Sequence, residues 1–445
     1  MRDTRKLEFP RTGPAIYLLA GSAVLSAILL FTTIDPFLDK GGFLVGGLDV
    51  HIYRDGAFRI VHGLPLYTEP TMRDLLYTYT PFSTIAFVPI YLVPWGYVTN
   101  TWLVFNLSVL IACVLLSWRL LGYRITTRLV VVSVLIAATL AFIEPVRQTL
   151  YFGQINLVLM LLVLLDALRA ERSKLLGIGV GLAAGIKLTP IYFVAYLAAL
   201  RQWRSAVTAC VTFLSSFAFA WVILPTDSRQ YWTSTFFQSN RIAGDNHPAN
   251  QSIRGVIAHL LGGPAPMWLW VLIAGSVAVA SLIVTSALYQ RGERLLSVTL
   301  AGLTACAVSP FSWGHHWVWF VPLFVFLVHK GLDNWRWWVA AAVLFTVTAS
   351  WSYHWSKTWV SVGVFLLPPW WPVTKVLING YVIEFLIVLI AAWIHLRRDG
   401  WSALGERSAE RSIRFPLARR HDPESPSCPT SAPDQRRKPL ADKVV

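Results

Sequence analysis

The sequence predicts an all-α protein that crosses a membrane about twelve times. Three observations predict it. The 445 residues are 55% hydrophobic and only 14% charged, against roughly 25% charged residues in an ordinary soluble domain. The apolar residues come in blocks of about 20, the length that crosses a bilayer as a helix. The basic residues fall between those blocks in short alternate loops, the pattern that sets topology in membrane proteins.

In chain order the apolar blocks are 14–33, 99–121, 127–143, 154–168, 175–200, 205–224, 267–289, 295–309, 316–328, 337–350 and 379–395. The first has no small-x-small cleavage pattern behind it and reads as a retained signal anchor. Block 175–200 is too long for one straight crossing and carries Lys187 and Pro190 in its middle. It predicts two short helices meeting at GIKLTP, which brings the count to twelve. Segment 82–95 is short and bounded by Pro81 and Pro94, so it predicts a re-entrant or interfacial piece in the first outer loop. Were it a full crossing, the basic loop 119–128 would be forced outside.

With the N-terminus in the cytoplasm, Arg119, Arg124, Arg128, Arg169, Arg172, Lys174, Arg201, Arg204, Arg291, Arg294, Lys330 and Arg336 all fall inside, as do Arg397 and Arg398. Both termini are then cytoplasmic. The expected organisation is a short N-terminus (1–13), a membrane domain (14–395) and a basic tail (396–445). The tail is rich in Arg, Pro and Ser and has too few large apolar residues to fold alone.

The formal charge is +15, from 38 Lys+Arg against 23 Asp+Glu. It is spread over membrane loops and tail, which points to anionic lipid and not to nucleic acid. Of four cysteines, Cys113, Cys210 and Cys306 sit in apolar blocks and Cys428 in the tail. Neither a disulfide framework nor a Cys/His metal spacing is present.

This topology collects the distinctive polar residues at the outer helix ends. Polar groups at such depth are costly unless paired or facing a watery cavity. The first outer loop holds GGLDVHIYRDGAFRIVHGLPLY; Asp49 there reads either as a general base or as a helix N-cap. Tyr53 and Asp55 follow as substrate contacts, Asp55 also as a second, weaker base candidate or a partner for Arg54 or Arg59. Asp35 and Asp39 look like solvated loop residues. Arg147, in EPVRQTLYFGQIN, either pairs with Glu144 or meets an anion. Gln154 and Asn156 either bond sugar hydroxyls or cap the following helix.

Lys187 either snorkels outward or holds an anion. Asn250-Gln251-Ser252 has the form of a glycosylation sequon and also offers sugar-binding amides. His315 and His316, in SPFSWGHHW, can move protons or bind a phosphate oxygen, while adjacent side chains diverge too much for a two-His metal site. Trp313, Trp317, Trp351 and Trp355 suit an interfacial belt, and Trp313 can stack on a sugar.

Taken together, GGLDVHIYRDGAFRIVHGLPLY, YFGQIN, GIKLTP, NQS and SPFSWGHHW resemble a family of polytopic GT-C glycosyltransferases of actinobacteria, over about 14–395. The resemblance is nearest to the branch that builds phosphatidylinositol mannosides. It implies the GT-C fold, a polyprenyl-phosphate-mannose donor, a phosphatidylinositol mannoside acceptor and inverting transfer to a 2-hydroxyl, from tetra- to pentamannoside. It implies that Asp49 is the general base. Lys187, Arg147, His315 and His316 are then candidates for the departing phosphate. No DxD motif lies in an outer loop, so the expectation is a metal-independent enzyme without cofactor, at the outer face of the plasma membrane. Two competing readings remain: a polyprenyl-phosphate-arabinose-dependent transferase, and a secondary transporter, which a second helix break or an inverted repeat would favour.

Overall fold

A computed structural model describes residues 7–11, 13–32, 46–238, 243–351 and 373–398. All of them belong to one compact unit, Met1–Gly400. Asp35, Asp39, Trp355, Cys428 and the tail beyond 398 lie outside the described residues.

The first half holds α1 (Ala15–Thr32), α2 (Leu48–Val61), α3 (Pro81–Ala86), α4 (Val88–Tyr91), α5 (Trp95–Leu120), α6 (Thr127–Leu140), α7 (Glu144–Phe152), α8 (Asn156–Leu168), α9 (Ile178–Ile186), α10 (Tyr192–Ala199) and α11 (Trp203–Ile223). The second holds α12 (Pro225–Thr233), α13 (Ile253–Leu261), α14 (Met267–Gln290), α15 (Arg294–Val308), α16 (Phe320–Gly331), α17 (Arg336–Thr348), α18 (Thr374–Leu377) and α19 (Gly380–Arg398). Two isolated bridges, Leu7–Tyr123 and Ile143–Ala349, are the only β pairing among the described residues.

Five helices are long and apolar enough to cross a bilayer: α1, α5, α11, α14 and α19. The pair α7–α8 counts as a sixth if its 115° bend is taken as one broken span, a second helix break where the sequence showed only the one at Lys187. The apolar blocks at 127–143, 295–309 and 337–350 are helices of 13 to 15 residues, short of the roughly 20 that a full crossing needs. Helix length therefore does not by itself carry the expected count of twelve. The long helices turn apolar side chains outward, as Val207, Val211, Leu214 and Val222 do on α11. Such a face is stable only against lipid, and the protein is a multi-pass membrane protein.

The block at 175–200 breaks where expected. α9 ends at Ile186, Lys187 is extended (φ −145°, ψ 131°), and a 3-10 turn over Thr189–Ile191 leads into α10. Segment 82–95 is likewise two short helices with no crossing. Thr80 caps α3 by accepting from the Ser83 amide, with Pro81 in the first turn. The same Thr80 hydroxyl donates to Gly185 O at 2.5 Å, which ties the first loop to the break.

α9 sits tightly between α8 and α11 because its sequence, GIGVGLAAG, has almost no side-chain bulk. A Cβ on Gly181 would lie 2.5 Å from Thr212 Cβ, and one on Gly185 2.4 Å from Ser216 Oγ. Small residues at this spacing let membrane helices approach closely. Gly181→Val is therefore expected to cost about 1–3 kcal/mol by overpacking. A lowered thermal midpoint in detergent, together with reduced activity because Lys187 rides on this helix, checks it.

Candidate active site

Two helix ends are joined to make the centre of the site. The Gly46 and Gly47 amides, just ahead of α2, both donate to Tyr151 O, at 2.9 and 2.7 Å. Gly47 has φ +69°, a conformation open to glycine and strained for other residues, and a Cβ there would strike Thr99. This double bond ties the start of α2 to the end of α7. Asp49 and Gln154, each within three residues of the junction, are thereby brought face to face.

Asp49 lies in the first turn of α2, whose N-cap is Gly47 with no side-chain bond. The N-cap alternative for Asp49 is corrected: Gly47 holds that position, and Asp49 lies two residues further on, inside the helix. Gln154 sits at the bend between α7 and α8. Its Oε1 accepts from Tyr53 Oη and Tyr79 Oη, both at 3.1 Å. With the amide oxygen committed, its N–H side faces the Asp49 carboxyl and bonds it. Tyr53 is fully buried and stacked on Phe87 at 4.4 Å. The tyrosines fix the amide, and the amide fixes the acid.

Burial pushes the Asp49 carboxyl up to about 6, and the Gln154 bond and the Lys187 charge hold it from going higher. The sign for a base is direct: it works only when ionised. Activity is expected to rise with pH through about 6 and to fall away below it, measured as kcat/KM against pH.

Lys187 is the second half of the site. Its ammonium does not snorkel to the surface. It donates to Asn156 Oδ1 at 3.1 Å, meets His316 Nε2 at 2.7 Å and lies 5.3 Å from the centre of the Tyr79 ring. A charged Lys187 makes Nε2 of His316 the acceptor, so the imidazole is neutral and its proton sits on Nδ1. His315 is buried, its ring 4.9 Å from that of His316. Asn156 Nδ2 and the Nδ1 atoms of both histidines are buried with no partner among the described residues. Buried polar atoms are rarely left unpaired without cause. Asn156 and His316 each touch the Lys187 ammonium through their other polar atom, so polar groups collect at this one buried cation, a setting that suits an anionic oxygen. Lys187, Asn156 and His316 also line one small cavity with Cys306 and Trp319.

Several other predicted contacts have structural roles. Asp55 pairs with Arg59 at 3.1 Å, and Arg59 also reaches Pro65 O, Glu69 and Pro70 O. Asp55 thus anchors the loop after α2, with no partnership to Arg54. Gln251 is fully buried; its side chain donates to Pro248 O and Ile378 O and accepts from the Tyr381 amide. Asn250, also fully buried, donates to Asp245 O and accepts from Ser252 Oγ. Both amides are spent inside the protein, so they hold the loop before α13 to α19 and to the histidine segment. The sequon reading fails on burial. Arg147 lies buried beside Glu144, whose carboxyl accepts from Tyr381 Oη. The Arg147 charge acts on that acid. Trp313 is half-buried among three rings, 4.9 Å from Phe311, 5.4 Å from His247 and 6.2 Å from His315.

Missed from the sequence were Tyr79, the second holder of Gln154, and Cys306, whose thiol bonds His316 O at 3.2 Å. The Tyr-x-Tyr spacing of Tyr77 and Tyr79 ahead of Pro81 was the available signal for the first.

A buried carboxyl on α2 whose charge interacts with a lysine at the break between α9 and α10 suits group transfer in a membrane protein. Comparison with known proteins gives the family: the sequence profile of glycosyltransferase family 87 matches residues 77–310, just over half the chain, and the chain belongs to that family. Asp49 and the histidine pair lie outside the matched stretch. A polyprenol-phosphate-mannose-dependent alpha-(1-2)-phosphatidylinositol pentamannoside mannosyltransferase of Mycolicibacterium smegmatis is 35% identical over 295 residues, 65% of this chain and 71% of the relative. A polyprenol-phosphate-mannose-dependent alpha-(1-2)-phosphatidylinositol mannoside mannosyltransferase of the same organism is 33% identical over 314 residues, 62% of this chain and 69% of the relative. An alpha-(1->3)-arabinofuranosyltransferase of Corynebacterium glutamicum is 26% identical over 303 residues, 64% of this chain and 68% of the relative. No solved structure matches.

Proposed function

We propose that this protein moves mannose from polyprenyl-phosphate-mannose to the 2-hydroxyl of a terminal mannose on a phosphatidylinositol mannoside, with inversion. The observation that carries this is the juxtaposition of Asp49, held by Gln154, with the Lys187–His316–Asn156 cradle. Asp49 accepts the proton of the acceptor hydroxyl. The freed oxygen pair attacks the anomeric carbon, and the bond to the phosphate oxygen breaks with its electrons going to the phosphate. Lys187 and the unspent N–H groups of Asn156 and the histidines receive that charge where it develops. A single displacement turns a β-linked donor into an α product and needs no enzyme nucleophile.

The acceptor is proposed to be a tetramannoside and the product a pentamannoside. Support comes from the relatives named above, which act on this lipid class at 33–35% identity. We place the site on the outer face, both termini in the cytoplasm, and the crossings at about twelve, with the shorter apolar helices completing the bundle. The charge pattern of the loops supports this orientation. The reaction as drawn uses a fixed ammonium where other transferases use a metal, and we propose that it needs none.

Purified protein given polyprenyl-phosphate-mannose and a phosphatidylinositol tetramannoside, with and without chelator, is expected to form a pentamannoside with a new α-1,2 linkage in both cases. No product, or loss of product with chelator, overturns the corresponding part. The arabinofuranosyltransferase relative motivates one competing donor; faster transfer from polyprenyl-phosphate-arabinose would select that reading.

A further inference from the structure

Substrates of the proposed reaction bring two lipid phosphates to the protein, one on the donor and one on the acceptor. The Lys187 cradle accounts for one. The outward face of α2 offers a place for the other.

His51, Arg54, Phe58 and His62 recur along α2 at a spacing that puts them on one helix face, opposite the face that carries Asp49 and Tyr53. Arg54 lies between two aromatic rings, its guanidinium carbon 5.4 Å from the centre of Tyr91 and 5.3 Å from that of Trp95. Its Nε donates to Val93 O at 3.3 Å. His51 stacks on Trp95 at 4.1 Å and is held by Thr99 at 3.1 Å.

A guanidinium has five N–H donors. Among the described residues only one of Arg54's is spent, and no carboxylate pairs with it; the Asp55 carboxylate next to it in sequence is taken by Arg59. The cation is therefore pre-oriented by its rings and its backbone bond, with its forked end open. That fork matches two oxygens of a phosphate. Trp95 beside it is exposed, as is Tyr97 two residues further along α5, and Trp and Tyr are the residue types that lie at headgroup depth. Asp49, whose charge interacts with Lys187, and Arg54 lie on opposite faces of α2, a helix diameter of about 10 Å apart, which favours separate phosphates for the two cations.

We infer that Arg54, framed by Tyr91 and Trp95 with His51 alongside, binds the phosphodiester of the acceptor glycolipid. This rests on the proposed function and adds to it the means by which the acceptor is held at its lipid end. The acceptor's sugars then run from the headgroup level around α2 to Asp49.

The test compares two acceptors with the same terminal mannose, a phosphatidylinositol mannoside and a phosphate-free alkyl oligomannoside, on the full-length protein in detergent. Arg54→Gln is expected to raise KM for the phosphate-bearing acceptor about 10- to 100-fold, the weight of a charge-assisted bond pair. The loss with the alkyl acceptor should be at least about tenfold smaller, the donor KM should stay near wild type, and Arg54→Lys should fall between. Equal losses with both acceptors, or no loss with either, overturn the assignment. So does a rise in donor KM, which would give Arg54 to the donor phosphate. A defect seen only in liposomes and equal for both acceptors would assign Arg54 to bulk phospholipid instead. A wild type that elongates neither acceptor sinks the proposed function, and this assignment with it.

Discussion

Replacing Asp49 by Asn is expected to reduce kcat by about 1,000-fold or more, within the range that a positioned general base contributes. Asn has the same shape and can still accept from Gln154, so the junction of α2 with α7 should survive. Thermal stability in detergent and donor affinity are expected to stay near wild type. A variant that folds, binds donor and still transfers within about tenfold of the normal rate would remove Asp49 from the mechanism. Its partners make graded companions to this test. Gln154→Leu leaves the carboxyl without its amide and should shift the pH profile as well as lower the rate.

The second large effect is expected at Lys187. Lys187→Met keeps the length of the side chain and removes the charge. The loss of one fixed group aimed at developing negative charge costs about 100- to 1,000-fold in kcat. The loss should shrink with a donor whose leaving group is already good, such as mannosyl fluoride, because such a group needs less help to depart. An equal loss with both donors would mean that Lys187 organises the fold around His316 and Asn156 without assisting departure. His316→Ala, which removes one neighbour of the ammonium, should share the dependence on leaving group in weaker form.

Much of the architecture was legible in the sequence because lipid imposes one simple rule on it. Blocks read at 14–33, 127–143, 205–224 and 267–289 became α1, α6, α11 and α14 with ends shifted by no more than three residues. The break at Lys187 was legible because a charge and a proline together interrupt an apolar run. The helices at Glu144–Phe152, Pro225–Thr233 and Ile253–Leu261 were not read as helices. Each is nine residues long, about two and a half turns, too few for its pattern to stand out from the loops on either side.

The site was legible residue by residue but not bond by bond. Asp49 and Lys187 stand out as charges in glycine-rich or apolar surroundings. Nothing in the sequence says that Gln154, 101 residues from Tyr53, would choose that partner. Gln251 shows the reverse failure. An amide that binds sugar and an amide that braces backbone carbonyls look the same in one dimension, and only burial separates them.

The burial of Asp49 reaches beyond the single turnover. A base on the outer face, as placed here, answers to the acidity of the surroundings and not to the buffered cell interior. With its proton affinity centred near pH 6, mild acidification on the side proposed for the site would slow the chemical step, and more of the acceptor glycolipid would stay unelongated. The composition of the cell surface would then record the pH in which the cell has been growing.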